Sequence, residues 1–178
     1  MQYRRNFIAG GCFFFTVVTA NRRPILATQE SVEVLRNAFR AVRARHPFAL
    51  DAIVVLPDHL HCIWTLPSGD SDFATRWRLI KTWFTKHCAD ALRAAPNRAR
   101  ANKHEQALWQ RRYWEHTLRD EEDFARHADY IHFNPVKHGY ASSVAEWPYS
   151  SFRRFVEAGI YPVDWAAEAI DLSQVGHE

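Results

Sequence analysis

The chain has 178 residues, 47% of them hydrophobic and 14% aromatic, which provides a buried core for one domain and excludes a chain that is disordered throughout. Its formal net charge of +3 fits both a nucleic-acid-binding face and an ordinary solvated surface, so charge alone excludes neither. No stretch is long and apolar enough for a transmembrane helix, and the scattered cysteines Cys12, Cys62 and Cys88 form no zinc or redox motif and favour the reducing cytoplasm.

The N-terminal segment imitates a secretory signal, because Arg4 and Arg5 precede an apolar run. Gly10 and Gly11 interrupt that run, which then becomes rich in phenylalanine, threonine and valine. This composition favours a buried first strand over residues 12–19 instead. We therefore reject a signal peptide and expect no association with a membrane.

A helix and a hairpin follow the first strand. Apolar residues recur at helical spacing over residues 29–45, and Thr28 is suited to cap the start of this helix. Two apolar runs, 50–56 and 60–66, flank Pro57-Asp58, a pair typical of a tight reversal. The pattern predicts a β-hairpin.

The second half of the chain repeats this alternation. Residues 73–92 have an apolar stripe at helical spacing, and residues 93–108 are polar with weak periodicity, which indicates a solvated loop or a short mobile helix. Residues 114–118 read as a fourth strand. A third helix is expected to begin after Asp120, which can cap it, and to end at Asn134, because the residue before a proline avoids helical geometry.

The predicted order β-α-β-β-α-β-α indicates an α+β fold, a ferredoxin-like antiparallel sheet with helices on one face. We expect a single domain over residues 1–155 and a C-terminal tail over residues 156–178, which has aromatic residues but no clear period.

The histidines of His59-Leu60-His61 form the first candidate site. Side chains alternate across a strand, so both imidazoles lie on one face and Leu60 lies on the other. Two imidazoles can hold a divalent ion and leave positions open for a substrate oxygen. These residues alone equally suit an ordinary pair of half-exposed strand histidines.

Tyr130 and Asn134 form the second candidate site. At about 100° per residue, they share a polar stripe of the third helix, away from the face that carries Ala128 and Ile131. A structural tyrosine usually lies along the apolar stripe, so this position favours a functional hydroxyl. A phenol, with a pKa of about 10, needs a nearby charge and an activated electrophile to act as a nucleophile.

A tyrosine beside a metal ion can cleave DNA without hydrolysing it. Attack by Tyr130 on a phosphodiester would leave a 5′ phosphotyrosine and a free 3′ hydroxyl, which conserves the ester bond for rejoining. Asn134 can supply a third metal ligand through its amide oxygen.

Basic residues that can neutralise DNA phosphates occur in three groups and at one separate position near the end of the third helix. The candidates are Arg4, Arg5, Arg22, Arg23, Arg76, Arg78, Lys81, Lys86 and Lys137. An ordinary charged surface explains any one of them as well.

Four segments together resemble the REP-associated tyrosine transposases, a branch of the HUH single-tyrosine transposases. They are the run with both histidines (54–64), Trp114-Glu115-His116, the run that starts at Tyr130 (130–140), and 147–152. The likeness extends from about residue 3 to 155.

The resemblance implies the HUH transposase fold and strand-specific cleavage and rejoining of single-stranded DNA at repeated palindromic, REP-type hairpins. It matches His59 and His61 to the metal ligands, Tyr130 to the nucleophile, and Asn134 to the polar ligand four residues later, where autonomous relatives often have glutamine. It implies Mg²⁺ or Mn²⁺ as cofactor and either a monomer or a homodimer.

Two other functions remain open at this point. One is a hairpin-binding protein without significant catalysis, and the other is a metal-dependent phosphodiesterase that uses activated water. Four weaker candidates are compatible with supporting roles or with none. They are Asp58, Glu115, His116 and His127.

Overall fold

Four antiparallel strands form the centre of the protein. The computed structural model describes residues 8–92 and 108–166. The strands are β1 (Cys12–Val18), β2 (Ala49–Val55), β3 (His59–Thr65) and β4 (Trp114–Thr117), in the spatial order β2-β3-β1-β4. This sheet confirms the predicted α+β class.

Each face of the sheet has its own apolar cluster, because side chains alternate along β1. Phe13 and Phe15 lie in one cluster with the first two helices, whereas Phe14 lies in the other with the third helix. All three rings are fully buried. A run of consecutive phenylalanines therefore indicates a strand covered on both sides.

The first two helices pack against each other on the Phe13 face. Helix α1 (Gln29–Arg45) begins at Thr28, whose side chain accepts a hydrogen bond from the Ser31 amide, as predicted. Helix α2 (Phe73–His87) ends earlier than predicted, because Cys88 is extended, and a separate 3-10 turn spans Asp90–Leu92.

The third helix, α3 (Glu121–Lys137), packs on the Phe14 face. The expectation that the helices lie on one face is therefore wrong for this element. Asp120 caps α3 through the Asp123 amide, as predicted.

The end of α3 also differs from the prediction, because Pro135 lies inside its last turn. The helix continues to Lys137, and the amides of Gly139 and Tyr140 then bond to the carbonyls of Val136 and Pro135, at 2.9 and 2.8 Å. This is a Schellman motif, and Gly139 has the positive φ of 70° that the motif requires. Proline removes only one amide donor near the end of a helix, so the remaining bonds are sufficient to continue it.

The segment after α3 covers the outer edge of the sheet. The Val55 amide donates to the Tyr149 carbonyl and the Ser151 amide donates to the Ile53 carbonyl, each at 2.8 Å. A short helix, α4 (Phe152–Glu157), follows. The predicted loop over residues 93–108 lies almost entirely outside the described residues, and the division at residue 155 stays a prediction.

None of the helices in these two stretches is both long and apolar enough to cross a membrane.

Candidate active site

His59 and His61 lie on β3, on the face that α3 covers. Their ring centroids are 4.8 Å apart and the ring planes are nearly perpendicular, at 82°. Leu60, between them, lies in the opposite apolar cluster. The exposed fractions of His59 and His61 are 1% and 0%, so these are not the half-exposed strand histidines that the sequence left open.

Neighbouring side chains engage the Nδ1 atom of each histidine. Nδ1 of His59 lies 2.6 Å from Oδ1 of Asp58, and Nδ1 of His61 lies 2.8 Å from Oγ1 of Thr16. A ring that donates from Nδ1 keeps its lone pair on Nε2, the atom that can then bind a metal. Asp58 is therefore more than a turn residue.

Arg22 extends this arrangement outwards, because its guanidinium donates to Oδ2 of Asp58 at 3.1 Å. Burial by itself raises the pKa of Asp58, but the hydrogen bonds from His59 and Arg22 outweigh it and hold that pKa below its ordinary value. Asp58 is thus an anion at neutral pH and a strong acceptor for the His59 N–H.

Tyr130 lies on α3 with its ring centroid 5.2 Å from that of His61. Tyr130 is 1% exposed, and the other members of its polar stripe, Asp123, His127 and Asn134, are also buried, because that stripe faces the sheet. Burying polar groups costs free energy unless they find partners, so a buried polar helix face needs polar partners on the surface that it covers. Nζ of Lys137 lies 3.5 Å from the Tyr130 hydroxyl.

Asn134 and His138 continue this face of α3. Asn134 is fully buried, and it lies one helical turn after Tyr130 and one turn before His138. The His138 ring centroid is 5.5 Å from that of His59. Asn134 therefore lies between two residues that each contact one of the β3 histidines.

These donors fit a divalent metal ion. Two imidazole nitrogens and one amide oxygen suit Mn²⁺, which accepts both kinds of ligand, and the Asp58 carboxylate supplies the outer partner that metal-binding histidines usually have.

The sequence did not identify His138, Thr16 or the position of Lys137 as parts of this site. Lys137 lies seven residues after Tyr130, two helical turns along the same face. This spacing would have related the two residues, but the expected end of the helix at Asn134 concealed it.

A second polar cluster joins β4 to the start of α3. Nε2 of His116 lies 3.1 Å from Oδ2 of Asp123, and Nδ1 of His127 lies 2.7 Å from the carbonyl of Asp123 and 3.2 Å from its Oδ1. One ligand atom from each of the three residues falls within 4.8 Å of the others, so the group can also hold a metal ion. The Phe14 ring contacts both His127 and His61, at 4.9 and 5.5 Å between centroids, and separates this cluster from the β3 histidines.

The pKa values of Asp123 and His127 are both lowered, so the cluster combines an ionised carboxylate with a neutral imidazole. Burial by itself raises the pKa of Asp123. The hydrogen bonds from His116 and Arg119 outweigh burial and hold that pKa below its ordinary value. Burial lowers the pKa of His127, which keeps its ring neutral.

Arg76 does not belong to a DNA-binding surface, contrary to the prediction. It is 2% exposed, and its guanidinium forms a double hydrogen bond to the Asp70 carboxylate and donates to the carbonyls of His46, Pro47 and Asp72. These bonds connect the start of α2 to the end of α1. DNA cannot reach a side chain in this position.

Of the remaining basic candidates, Lys137 lies beside Tyr130 and Arg22 lies beside Asp58, whereas those on α2 lie apart from Tyr130. Helix α2 carries Arg78 and Lys86, which are exposed, and Lys81, which donates to the Gln110 carbonyl, all on the helix that packs against the opposite face of the sheet. Arg23 donates to the Leu92 carbonyl. Arg4 and Arg5 lie outside the described residues.

Comparisons with known proteins agree on one family. The protein-family model described as "Transposase IS200 like" matches residues 12–134. This span contains both β3 histidines, Tyr130 and Asn134. The chain is 46% identical over 172 residues to the REP-associated tyrosine transposase of Escherichia coli K12, with 97% of this chain and 94% of that protein covered. It is 45% identical over 164 residues to a putative REP-associated tyrosine transposase of Haemophilus influenzae, with 92% of each covered.

A solved structure agrees with the sequence comparisons. The structure of a REP-associated tyrosine transposase bound to a REP hairpin superposes with a TM-score of 0.79 at 42% identity, covering 100% of this chain and 98% of the other. The chain therefore belongs to the IS200-like transposases and, within them, to the REP-associated tyrosine transposases, enzymes that nick and join DNA.

Proposed function

We propose that the protein binds REP-type hairpins in single-stranded DNA and cleaves and rejoins one strand through a 5′ phosphotyrosine on Tyr130. The observation that carries this proposal is the contact between the Tyr130 and His61 rings, 5.2 Å apart between centroids. The Tyr130 phenol on α3 contacts the His61 imidazole, which lies beside that of His59, and a single phosphodiester is small enough to touch all three. The similar solved structure holds a REP hairpin, which supports the choice of hairpin as substrate.

His59, His61 and Asn134 would hold Mg²⁺ or Mn²⁺. When bound, the ion would withdraw charge from the scissile phosphate. Asp58 fixes the tautomer and orientation of His59, and the hydrogen bonds from His59 and Arg22 together hold the pKa of Asp58 below its ordinary value. Burial of the site excludes water, which favours attack by the tyrosine over attack by a water molecule.

Burial also has a consequence for substrate entry. Tyr130 and the two β3 histidines are each at most 1% exposed, so a phosphodiester must displace whatever covers them. Lys137 is exposed and His138 half-buried, and both contact the site. We therefore propose that DNA enters at the C-terminal end of α3.

The experiment uses a labelled REP hairpin with single-stranded flanks, incubated with the protein and Mn²⁺. We expect a protein–DNA adduct that survives denaturation and is lost in Tyr130→Phe, while hairpin binding stays near normal. Tyr149→Phe is the matched control, because its ring contacts Trp147 rather than a histidine, and this variant should form the adduct normally. His59→Ala should lose metal-dependent cleavage.

The products separate this function from its two rivals. Cleavage that persists in Tyr130→Phe without an adduct would identify a water-using phosphodiesterase. Hairpin binding without any cleavage by the unmodified protein would identify a binding protein. We place the reaction in the cytoplasm, where a genomic DNA substrate would be, and propose a monomer or a homodimer as the active form.

A further inference from the structure

We propose that Lys137 is a catalytic residue of this reaction, whose ammonium group stabilises the negative charge on Tyr130 Oη while the bond to phosphorus forms or breaks. The inference rests on the proposed function of Tyr130. Nζ of Lys137 lies 3.5 Å from Tyr130 Oη and 4.9 Å from the centroid of the Tyr130 ring.

The fold holds Lys137 in this position. Tyr130, Asn134 and Lys137 follow one another at intervals of four and three residues, which places them along one face of α3. The last turn of α3 exists only because the helix continues through Pro135 and closes at Gly139. A helix that ended at Asn134 would not place Lys137 on this face.

Two simpler roles for Lys137 lead to different expectations. A cation in the last turn of a helix interacts favourably with the helix dipole, and an exposed lysine can bind a DNA phosphate. Neither role explains why the ammonium group folds back over the ring and hydroxyl of the proposed nucleophile. An ammonium group beside a phenol oxygen stabilises that oxygen as it becomes negative.

The two half-reactions balance without any added reactant. In cleavage, Tyr130 Oη forms a bond to phosphorus while the bond between phosphorus and the 3′ oxygen breaks. The phenol gives its proton to the solvent at the exposed C-terminal end of α3, and the departing 3′ oxygen takes a proton from the same solvent. In rejoining, the 3′ oxygen loses its proton and attacks phosphorus. The bond between phosphorus and Tyr130 Oη breaks, and Oη leaves with the electron pair and then takes up a proton. Lys137 keeps its protons throughout.

The experiment compares Lys137→Met and Lys137→Arg with the unmodified protein. Methionine keeps much of the length of lysine without the charge, and arginine keeps the charge. At saturating hairpin and Mn²⁺, we expect the single-turnover rate of adduct formation to fall by about 10- to 100-fold in Lys137→Met. Lys137→Arg should recover most of that loss, and hairpin affinity should change by less than about threefold.

A role as a phosphate anchor or as a helix-dipole residue gives the opposite split. Loss of one phosphate contact would weaken hairpin binding and lower the salt dependence by about 0.7 in the slope of log K against log salt, with an unchanged rate at saturation. A helix-dipole role would lower the melting temperature only. Either result would overturn the inference.

A second measurement changes the nucleophile instead of the lysine. 3,5-Difluorotyrosine at position 130 forms a more stable phenolate, so it should offset the loss of Lys137 and reduce the gap between Lys137→Met and the unmodified lysine. An equal gap with tyrosine and difluorotyrosine would contradict the proposal. Absence of an adduct from the unmodified protein would overturn the proposed function itself, whereas an adduct that Lys137→Met forms at the normal rate would overturn only the role of Lys137.

Discussion

Asp58 accepts a hydrogen bond from Nδ1 of the adjacent His59 at 2.6 Å, and the same carboxylate accepts one from Arg22. This bond leaves Nε2 as the nitrogen of His59 with which the proposed metal ion would interact. A residue that looked like part of a turn in the sequence thus orients a proposed ligand.

We predict that Asp58→Asn weakens Mn²⁺ binding by about 10- to 100-fold, because the amide is a poorer acceptor and releases the His59 ring. Titration of Mn²⁺ followed by its electron paramagnetic resonance signal measures this. Asp51→Asn is the control, since Asp51 accepts from Thr65 instead of a histidine. Equal affinities for the Asp58 variant and the unmodified protein would refute this role.

We predict that Arg76→Met lowers the free energy of unfolding by about 2–4 kcal/mol, because it removes the donor to the His46 and Pro47 carbonyls and the cation that pairs with Asp70. Asp70 is partly exposed, which keeps the loss below that of a fully buried ion pair. Urea denaturation measures it. Arg78→Met, at an exposed position on the same helix, should change stability by less than about 0.5 kcal/mol.

Hairpin binding tests the same pair of variants for DNA contact. The folded fraction of the Arg76 variant should bind the hairpin normally, whereas Arg78→Met should weaken binding if α2 contacts phosphates. If the folded Arg76 variant bound the hairpin with a lower salt dependence, Arg76 would contact DNA phosphates after all.

We predict that His132 makes the protein less stable in acid. Burial, and then the charge of Arg154, lower the pKa of His132 to about 3, from an ordinary value of 6.5. The unfolded chain therefore binds a proton between these values that the folded chain does not, so stability is complete above 6.5 and falls as the pH falls towards 3.

Between pH 7 and 5.5 this group should contribute a loss of about 1 kcal/mol. Denaturation at a series of pH values measures the slope, and His132→Gln, which keeps a donor for the Ser151 hydroxyl, should remove that contribution. The comparison is between the slopes of stability against pH for the unmodified protein and for His132→Gln. His127 also has a lowered pKa and contributes to both slopes, so only their difference reports on His132. Parallel slopes would show that His132 is not the cause.

We predict that Gly139→Ala destabilises the protein by about 1 kcal/mol, because Gly139 has a φ of 70°, which side chains with a Cβ disfavour. A Cβ at this position would meet no atom within 4 Å. The loss is conformational and not steric. Gly139→Asn should cost less, since asparagine tolerates this conformation. Equal losses for both variants would contradict the explanation.

Local patterns predicted the elements well where one interaction decides each of them. The Thr28 and Asp120 caps, the hairpin and the four strands follow from side-chain hydrogen bonds and alternating burial between near neighbours. Helix ends were predicted less well, because the bonds that continue α3 past Pro135 come from residues beyond it. The role of Arg76 was missed because two of its partners, the carbonyls of His46 and Pro47, lie about 30 residues earlier, just after α1.

The amino-acid sequence by itself determined the two-histidine strand, the polar stripe of Tyr130 and Asn134, and the resemblance to a transposase family, because spacing and residue type contain that information. Only the tertiary structure decided that this stripe faces the β3 histidines and that Lys137 lies over Tyr130. Periodicity relates residues within one element, whereas the face of the sheet that a helix covers depends on packing between elements far apart in the chain.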